Sequence, residues 1–281
     1  MTSAPRVSVV IPLFNMEDHL AATLTSLRNQ EFEDWEALIV DDASTDGSAR
    51  VALGFCEADL RFRYVPLPGN SGRPAVPRNA GIAEARGEYI AFLDHDDLWY
   101  PNKLKRQIWV LEDNPDVAMV HSHLWVNRND NPLWGLAYLP SPRRARATRD
   151  ELRTHNVVQC SSVMIRASTL QTTGVFREEI ALRTVEDYEL WFRVSGDFRI
   201  AFVSEIHGTY RIHALGASAT ERMQERLAFL DREVGTTTQQ SRKSLPRRVL
   251  ERALSWPVAC YFLIVDGKLR SLLRKEPRVW L

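Results

Sequence analysis

"EYIAFLDHDD", residues 88–97, sets a short apolar run directly against three carboxylates and an imidazole. The run over 88–93 is nearly continuous in apolar residues, as expected for a strand buried on both faces inside a parallel sheet. Like charges crowded where such a strand ends repel one another, so a cation belongs among them or the cluster is an acidic turn. Upstream, "PRNAGIAEARG" (77–87) reads as a short helix stopped by Gly87. Downstream, Pro101 suits the first position of a helix in which Leu104, Ile108 and Leu111 share a face.

The same alternation extends to the N-terminus. "VSVVIP" (7–12) is a β-branched strand, and Asn15 reads as the N-cap of a helix carrying Leu20, Leu24 and Leu27 on one face. "WEALIV" (35–40) is a second strand, followed by "DDASTDGS" and a helix over 46–58, and "RFRYVPL" (61–67) is a third. Strands alternating with helices predict right-handed βαβ units on a mostly parallel, Rossmann-like sheet flanked by helices. Ligands in such sheets bind beyond the carboxyl ends of the strands. "PLFN", "DDASTDGS" and "DHDD" all fall at those ends, so the topology gathers them along one edge.

Beyond residue 115 the pattern is less regular. Strands are expected at 117–126, 159–166, 198–204 and 208–212, with a short helix at 186–194 and a loop over 127–147. The stretch 219–240 reads as helix, and a basic tail begins near 245. Three parts follow: 1–115, 116–218 and a helical, basic extension over 219–281.

Composition narrows the function. The 281 residues carry 36 Lys+Arg against 36 Asp+Glu, so bulk charge gives no support for a nucleic-acid partner. Cys56, Cys160 and Cys260 form no CxxC pair and read as buried thiols of a reducing, cytoplasmic compartment. No run approaches the ~18 apolar residues of a membrane span, and the N-terminus lacks the pattern of a signal peptide. A dinucleotide-dependent oxidoreductase needs a G-x-G-x-x-G after the first strand, and "PLFNMED" has no glycine. An aspartyl phosphatase places its D-x-D after the first strand, not the fourth. A nucleotidyltransferase expects a Gly-rich basic loop there, and a processive synthase a Q-x-x-R-W motif and membrane spans; none is present.

Grouped carboxylates suit a hard divalent cation, held by one or two side chains plus the phosphate oxygens of a substrate. At this point a resemblance adds to the residues. "VSVVIPLFNMEDHLAATLTSLRNQEFEDWEALIVDDASTDGS", then "RNAGIAEARGEYIAFLDHDDLWYPNKL", then "VEDYELWFR" resemble, in order, the family-two glycosyltransferases of GT-A fold. The resemblance covers about 7–213. It implies an inverting, non-processive enzyme using a nucleotide-diphosphate sugar, a UDP-sugar foremost, with Mn²⁺ or Mg²⁺. The implied acceptor is a glycan or lipid-linked hydroxyl in surface polysaccharide assembly. It also implies that 1–115 binds the nucleotide sugar and that 116–218 carries the acceptor and base.

Roles follow onto matching positions. Pro12 and Phe14 would line the base, and Asp42 would accept its imide N–H. Arg73 or Arg78 would face the nucleotide or diphosphate. Asp94 would sit near the ribose, Asp96 would bind the metal and Asp97 support it. Asp187 would be the base, with Glu186 orienting the acceptor, and His213 would return toward the metal. The plain alternatives are that Asp187 caps its helix, that His213 is a loop histidine, and that the chain is an inactive sugar- or nucleotide-binding protein of the same fold. His121 and His123 are not expected to form a metal site, and Trp191 reads as core. The tail carries ten Lys/Arg between 242 and 278 with Trp256 and Tyr261–Ile264 among them. It suits either a helix on the anionic inner face of a membrane or one packed on the protein or a second subunit, as in a homo-oligomer.

Overall fold

The computed structural model describes residues 4–128, 147–153, 156–212, 232 and 279–280. The described strands form one sheet in the order β3 (Phe62–Pro66), β2 (Trp35–Asp41), β1 (Val7–Leu13), β4 (Tyr89–Phe92), β7 (Met164–Arg166), β6 (Val117–Arg128), β8 (Arg199–Ile212), β5 (Leu98–Trp99), with β9 (Val279–Trp280) added on β8. Strands β1 (Val7–Leu13), β2 (Trp35–Asp41), β3 (Phe62–Pro66) and β4 (Tyr89–Phe92) pair in parallel, linked by α1 (Glu17–Arg28), α2 (Ser48–Ala58) and α3 (Ala75–Glu84). Every residue of β1, β2 and β4 is buried. That is why these runs are apolar almost throughout instead of alternating.

The second half of the sheet is mixed. After β5 (Leu98–Trp99) and α4 (Lys103–Asp113), β6 (Val117–Arg128) and β7 (Met164–Arg166) enter antiparallel neighbours, and β7 closes onto β4. α5 (Arg149–Leu152), α6 (Ala167–Thr173) and α7 (Glu186–Asp197) lead to β8 (Arg199–Ile212), which runs parallel to β6 and antiparallel to β5 and β9 (Val279–Trp280). Leu20, Leu24 and Leu27 of α1 and Leu104, Ile108 and Leu111 of α4 are buried against the sheet, as their spacing predicts. Trp191 is fully buried beside Phe92 and Phe176.

Several local expectations change. Asn15 is not the cap of α1: it sits in the left-handed region at φ 45°, and its side-chain oxygen accepts from the Thr45 backbone N–H. The helix starts two residues later. Its first N–H groups are met from across the cleft, Met16 by the Ser48 hydroxyl and Glu17 by the Asp46 carboxylate. Pro101 lies in the turn before α4, whose N-cap is Asn102. The stretch 159–166 is a strand only from Met164, because Cys160–Ser162 form a 3-10 turn. The two strands read at 198–204 and 208–212 are one, β8. Gly208 breaks the apolar pattern in sequence yet lies in strand, where a Cβ would meet the Leu98 carbonyl oxygen at 2.2 Å. The helix expected over 219–240, the loop over 127–147 and the tail beyond 245 fall largely outside the described residues.

Gly87 does not end α3, whose C-cap is Ala85. It is required for a different reason: a Cβ there would stand 2.6 Å from the Ser8 backbone N and 2.8 Å from the Val7 carbonyl carbon. Neither backbone atom can move without disturbing β1. Gly87→Ala is expected to lower stability by about 1–3 kcal/mol, measured as a denaturant midpoint; an unchanged midpoint would show that β1 yields at this point.

Candidate active site

Because β1, β2 and β4 run parallel, their carboxyl ends lie along one edge. Leu13 is in register with Asp41, the Asp42 N–H donates to the Leu13 carbonyl, and the Leu93 N–H to Val10. The three loops expected at one edge are therefore together. Asn15 bridges to Ser44 and Thr45, and Glu17 accepts from the Gly47 N–H and pairs with Arg50. These cross-links hold the loop of Phe14, which is 40% exposed, against the loop of Asp42.

Asp42 is buried, and both its oxygens accept from Ser71, through the backbone N–H and the hydroxyl. Asp41 beside it accepts from Ser44 and from the Tyr64 hydroxyl, so it is a loop-holding residue. The Pro12 carbonyl accepts from His95 Nδ1 at 2.8 Å, which fixes the imidazole of the acidic cluster onto β1.

The cation that the acidic cluster calls for is Arg78. It lies on α3, 5% exposed. One terminal nitrogen donates to Asp94 Oδ1 at 2.7 Å and the other to Glu186 Oε1 at 2.6 Å. Its guanidinium also lies over the Phe176 ring, and its Nε is buried without a partner. Arg73, by contrast, donates to the Glu178 carbonyl and ties its loop to the segment before α7. Asp94 and Asp96 are half-buried, and the Asp94 N–H donates to the Ser161 hydroxyl.

Asp97 is fully buried. One oxygen accepts the Arg211 N–H, and the other has no partner. Burial first, then the neighbouring Asp96 and Asp94, push its carboxyl well above the usual range, and the Arg211 N–H opposes the shift. The Arg211 guanidinium donates to the Asp96 carbonyl.

Glu186 and Asp187 open the first turn of α7. The N-cap is Val185, and no side chain caps the helix. Asp187 is thus inside the helix and not its cap. Burial first, and the neighbouring Glu186 second, push Asp187 up to about 7, while Arg78 opposes the shift. Glu186 Oε2 is buried with no partner. Thr184, two residues before Glu186, is a β-branched residue at φ 72°, a strained conformation at the entrance to this turn.

The structure thus brings Arg78, Asp94, Glu186 and Asp187 into one electrostatic group and sets Asp42 at the end of β2, with β1 between it and β4 on the same edge. His213 lies outside the described residues. His121 and His123 pack on Phe202, and no cluster of three or more His, Cys, Asp or Glu side chains suited to a metal occurs among the described residues. Cys160 is buried, and burial raises its thiol well above the ordinary value, so it is no nucleophile at neutral pH. Ser71, Ser161 and Arg211 were not anticipated.

The acidic donors at the end of β4, Asp94, Asp96 and Asp97, offer carboxylate oxygen. That fits Mg²⁺ or Mn²⁺, which accept one or two protein carboxylates and take the remaining ligands from water and phosphate. Asp96 is the residue that would hold such an ion.

A family model described as Glycosyl transferase family 2 matches residues 8–172. The chain is similar to the putative teichuronic acid biosynthesis glycosyltransferase TuaG of Bacillus subtilis (strain 168), 32% identical over 187 residues, covering 66% of this chain and 71% of that protein. It is also 32% identical over 195 residues to the putative glycosyltransferase EpsE of the same strain, covering 69% of this chain and 68% of that one. Among solved structures, S. aureus TarS 1–349 in complex with UDP-GlcNAc superposes with a TM-score of 0.65 at 21% identity, over 80% of this chain and 65% of that one. The mannosyltransferase PcManGT from Pyrobaculum calidifontis, in complex with GDP-Man and Mn²⁺, does so with a TM-score of 0.63 at 19% identity, over 83% and 66%. This chain therefore spans just under two thirds of each solved chain, and at these identities the likeness is one of fold, the GT-A fold.

Proposed function

The chain belongs to glycosyl transferase family 2, and from that membership we propose that it moves a sugar from a nucleotide-diphosphate donor to an acceptor hydroxyl with inversion at the anomeric carbon. The donor is a UDP-sugar, and the acceptor a glycan or lipid-linked hydroxyl of a surface polysaccharide. Transfer is non-processive. The observation that carries this reading is the pair of separate carboxylate stations on one edge: Asp94 and Asp96 at the end of β4, and Asp187 raised to about 7 at the start of α7.

Each residue then has a task. Asp42, held by Ser71, accepts the imide N–H of the base, and Phe14 packs beside it with Pro12. Asp94 keeps one oxygen outside its bond to Arg78 and accepts from the ribose. Asp96 holds Mn²⁺ or Mg²⁺, which when bound supplies Lewis-acid stabilisation of the charge gained by the departing diphosphate. Asp97 supports the loop by accepting the Arg211 N–H. Asp187 takes the acceptor's proton as the hydroxyl attacks; a base near pH 7 is matched to that work. A single displacement with the base on the acceptor side leaves an inverted centre. Support for a nucleotide-sugar donor comes from the complexes of the two fold relatives.

A panel of nucleotide sugars with Mn²⁺ tests the reading. The true donor at 100 times its Kd should stabilise the protein by about 2.7 kcal/mol through mass action. No stabilisation by any nucleotide sugar would remove it. NMR of the product's anomeric carbon tests inversion. We place the enzyme on the cytoplasmic side, with the basic segment 245–281 touching an anionic inner leaflet. Among the described residues no helix is long and apolar enough to cross a membrane. Deleting 245–281 should release the protein from phosphatidylserine vesicles in co-sedimentation, and equal sedimentation of both forms would remove the membrane contact.

A further inference from the structure

We propose that Arg78 is a positioning residue: its guanidinium fork sets the base-bearing turn of α7 in register with the acid at the end of β4. The idea rests on the reading of Asp187 as base and goes beyond it. Arg78, Asp94 and Glu186 come from three different elements. Arg78 and Glu186 are 108 positions apart in sequence, and Arg78 and Asp94 are 16 apart. Both bonds are short, and the arginine and glutamate are almost wholly buried.

A guanidinium is planar, and the spacing of its two terminal nitrogens is fixed. With one nitrogen on Asp94 and the other on Glu186, the separation of the two carboxylates is set by covalent geometry. The Phe176 ring beneath limits tilt of the plane. Asp187 is joined to Glu186 by one peptide bond, so it follows the place given to Glu186. Both terminal nitrogens are engaged by carboxylates, and the Nε is buried. The arginine is therefore arranged to hold protein groups and not to grip the diphosphate. Glu186, through its bond to the fork, is the handle by which Asp187 is aimed.

A lysine at 78 keeps the positive charge but replaces the fork by one point donor, which cannot fix two carboxylates at once. Arg78→Lys is therefore expected to slow UDP release from the UDP-sugar by about 10²-fold, the scale of a misplacement near 1 Å. Affinity for UDP with Mn²⁺, by calorimetry, is expected to change far less than the rate, because Asp94 offers the ribose the oxygen that Arg78 does not hold. A parallel loss of UDP affinity would instead make Arg78 a phosphate contact and overturn the proposal. The isosteric Glu186→Gln, which removes the carboxylate charge from the fork, needs no change at Arg78 and is expected to slow release at unchanged UDP affinity; a normal rate would overturn it.

Combining the two substitutions supplies a readout that a merely structural role would not move. If the arginine acts through Glu186, Arg78→Lys costs little rate in the Glu186→Gln background, and the effects are non-additive. Additive losses would overturn the proposal. Failure of the underlying reading looks different: Asp187→Asn would then release UDP at the normal rate, whatever the cycle shows.

Discussion

Asp187→Asn is expected to reduce sugar transfer by about 10²–10⁴-fold, the usual contribution of a general base, while the protein binds its donor as before. The amide has nearly the shape of the carboxylic acid but cannot take a proton at neutral pH. Donor contacts are proposed at Asp42, Asp94 and Asp96, on other elements. Calorimetry for the donor and initial rates for transfer separate the two properties, and normal transfer by the variant would remove Asp187 from the role of base.

The same residue predicts a pH dependence. Asp187 is active when ionised, so the rate should rise about tenfold per pH unit below 7 and level off above it. Stability should move the other way. Below the ordinary aspartate value of 3.8 the carboxyl is protonated in folded and unfolded chains alike. Between there and about 7 only the folded chain keeps the proton, so stability falls as pH rises through this window, and above it the whole cost of the buried charge is present. Asp187→Asn should accordingly melt higher than the unaltered protein at pH 8 and no higher at pH 3. A variant that melts lower at pH 8 would contradict a raised base.

Asp96→Asn is expected to weaken donor binding in Mn²⁺ by at least about 10²-fold, since loss of even an outer-shell partner of a metal costs 10–100-fold. Excess chelator should bring the unaltered protein to the same low affinity and leave the variant unaffected. Undiminished transfer in excess chelator would remove the metal from the mechanism.

The parallel half of the fold was legible because its strands are buried on both faces and its helices are amphipathic. Val7–Leu13, Trp35–Asp41 and Tyr89–Phe92 announce themselves by continuous apolar runs. The mixed half was not, for local reasons. β5 has two residues and β7 three, too short for any period to register. Gly208 interrupts the apolar pattern of β8 although close approach to β5 requires it. In the candidate site, residue type and place at a strand end drew notice to Asp42, Asp94 and Asp96, and the family resemblance drew notice to Asp187. What stayed hidden was the partnership between them. Nothing near Arg78 in sequence distinguishes it from Arg73, because the choice depends on Glu186, 108 positions away. Asp97 looks like one more exposed acid in "DHDD"; its complete burial and its bond from the Arg211 N–H depend on β8, which arrives later in the chain.

That remote partnership bears on how the chain comes into being. Synthesis runs from the N-terminus at about 5–20 residues per second, so about 5–20 s separate the appearance of Arg78 from that of Glu186, 108 positions later. For that interval the guanidinium has Asp94 to bind but not the glutamate that completes its fork. The nucleotide edge can take shape first, since β1 to β4 and their helices lie within the first 92 residues. The base turn cannot, because α7 and the strand that joins the halves, β7, both come later. A nascent or prematurely ended chain would carry the acids proposed to face the donor but not the turn of α7 that bears the proposed base.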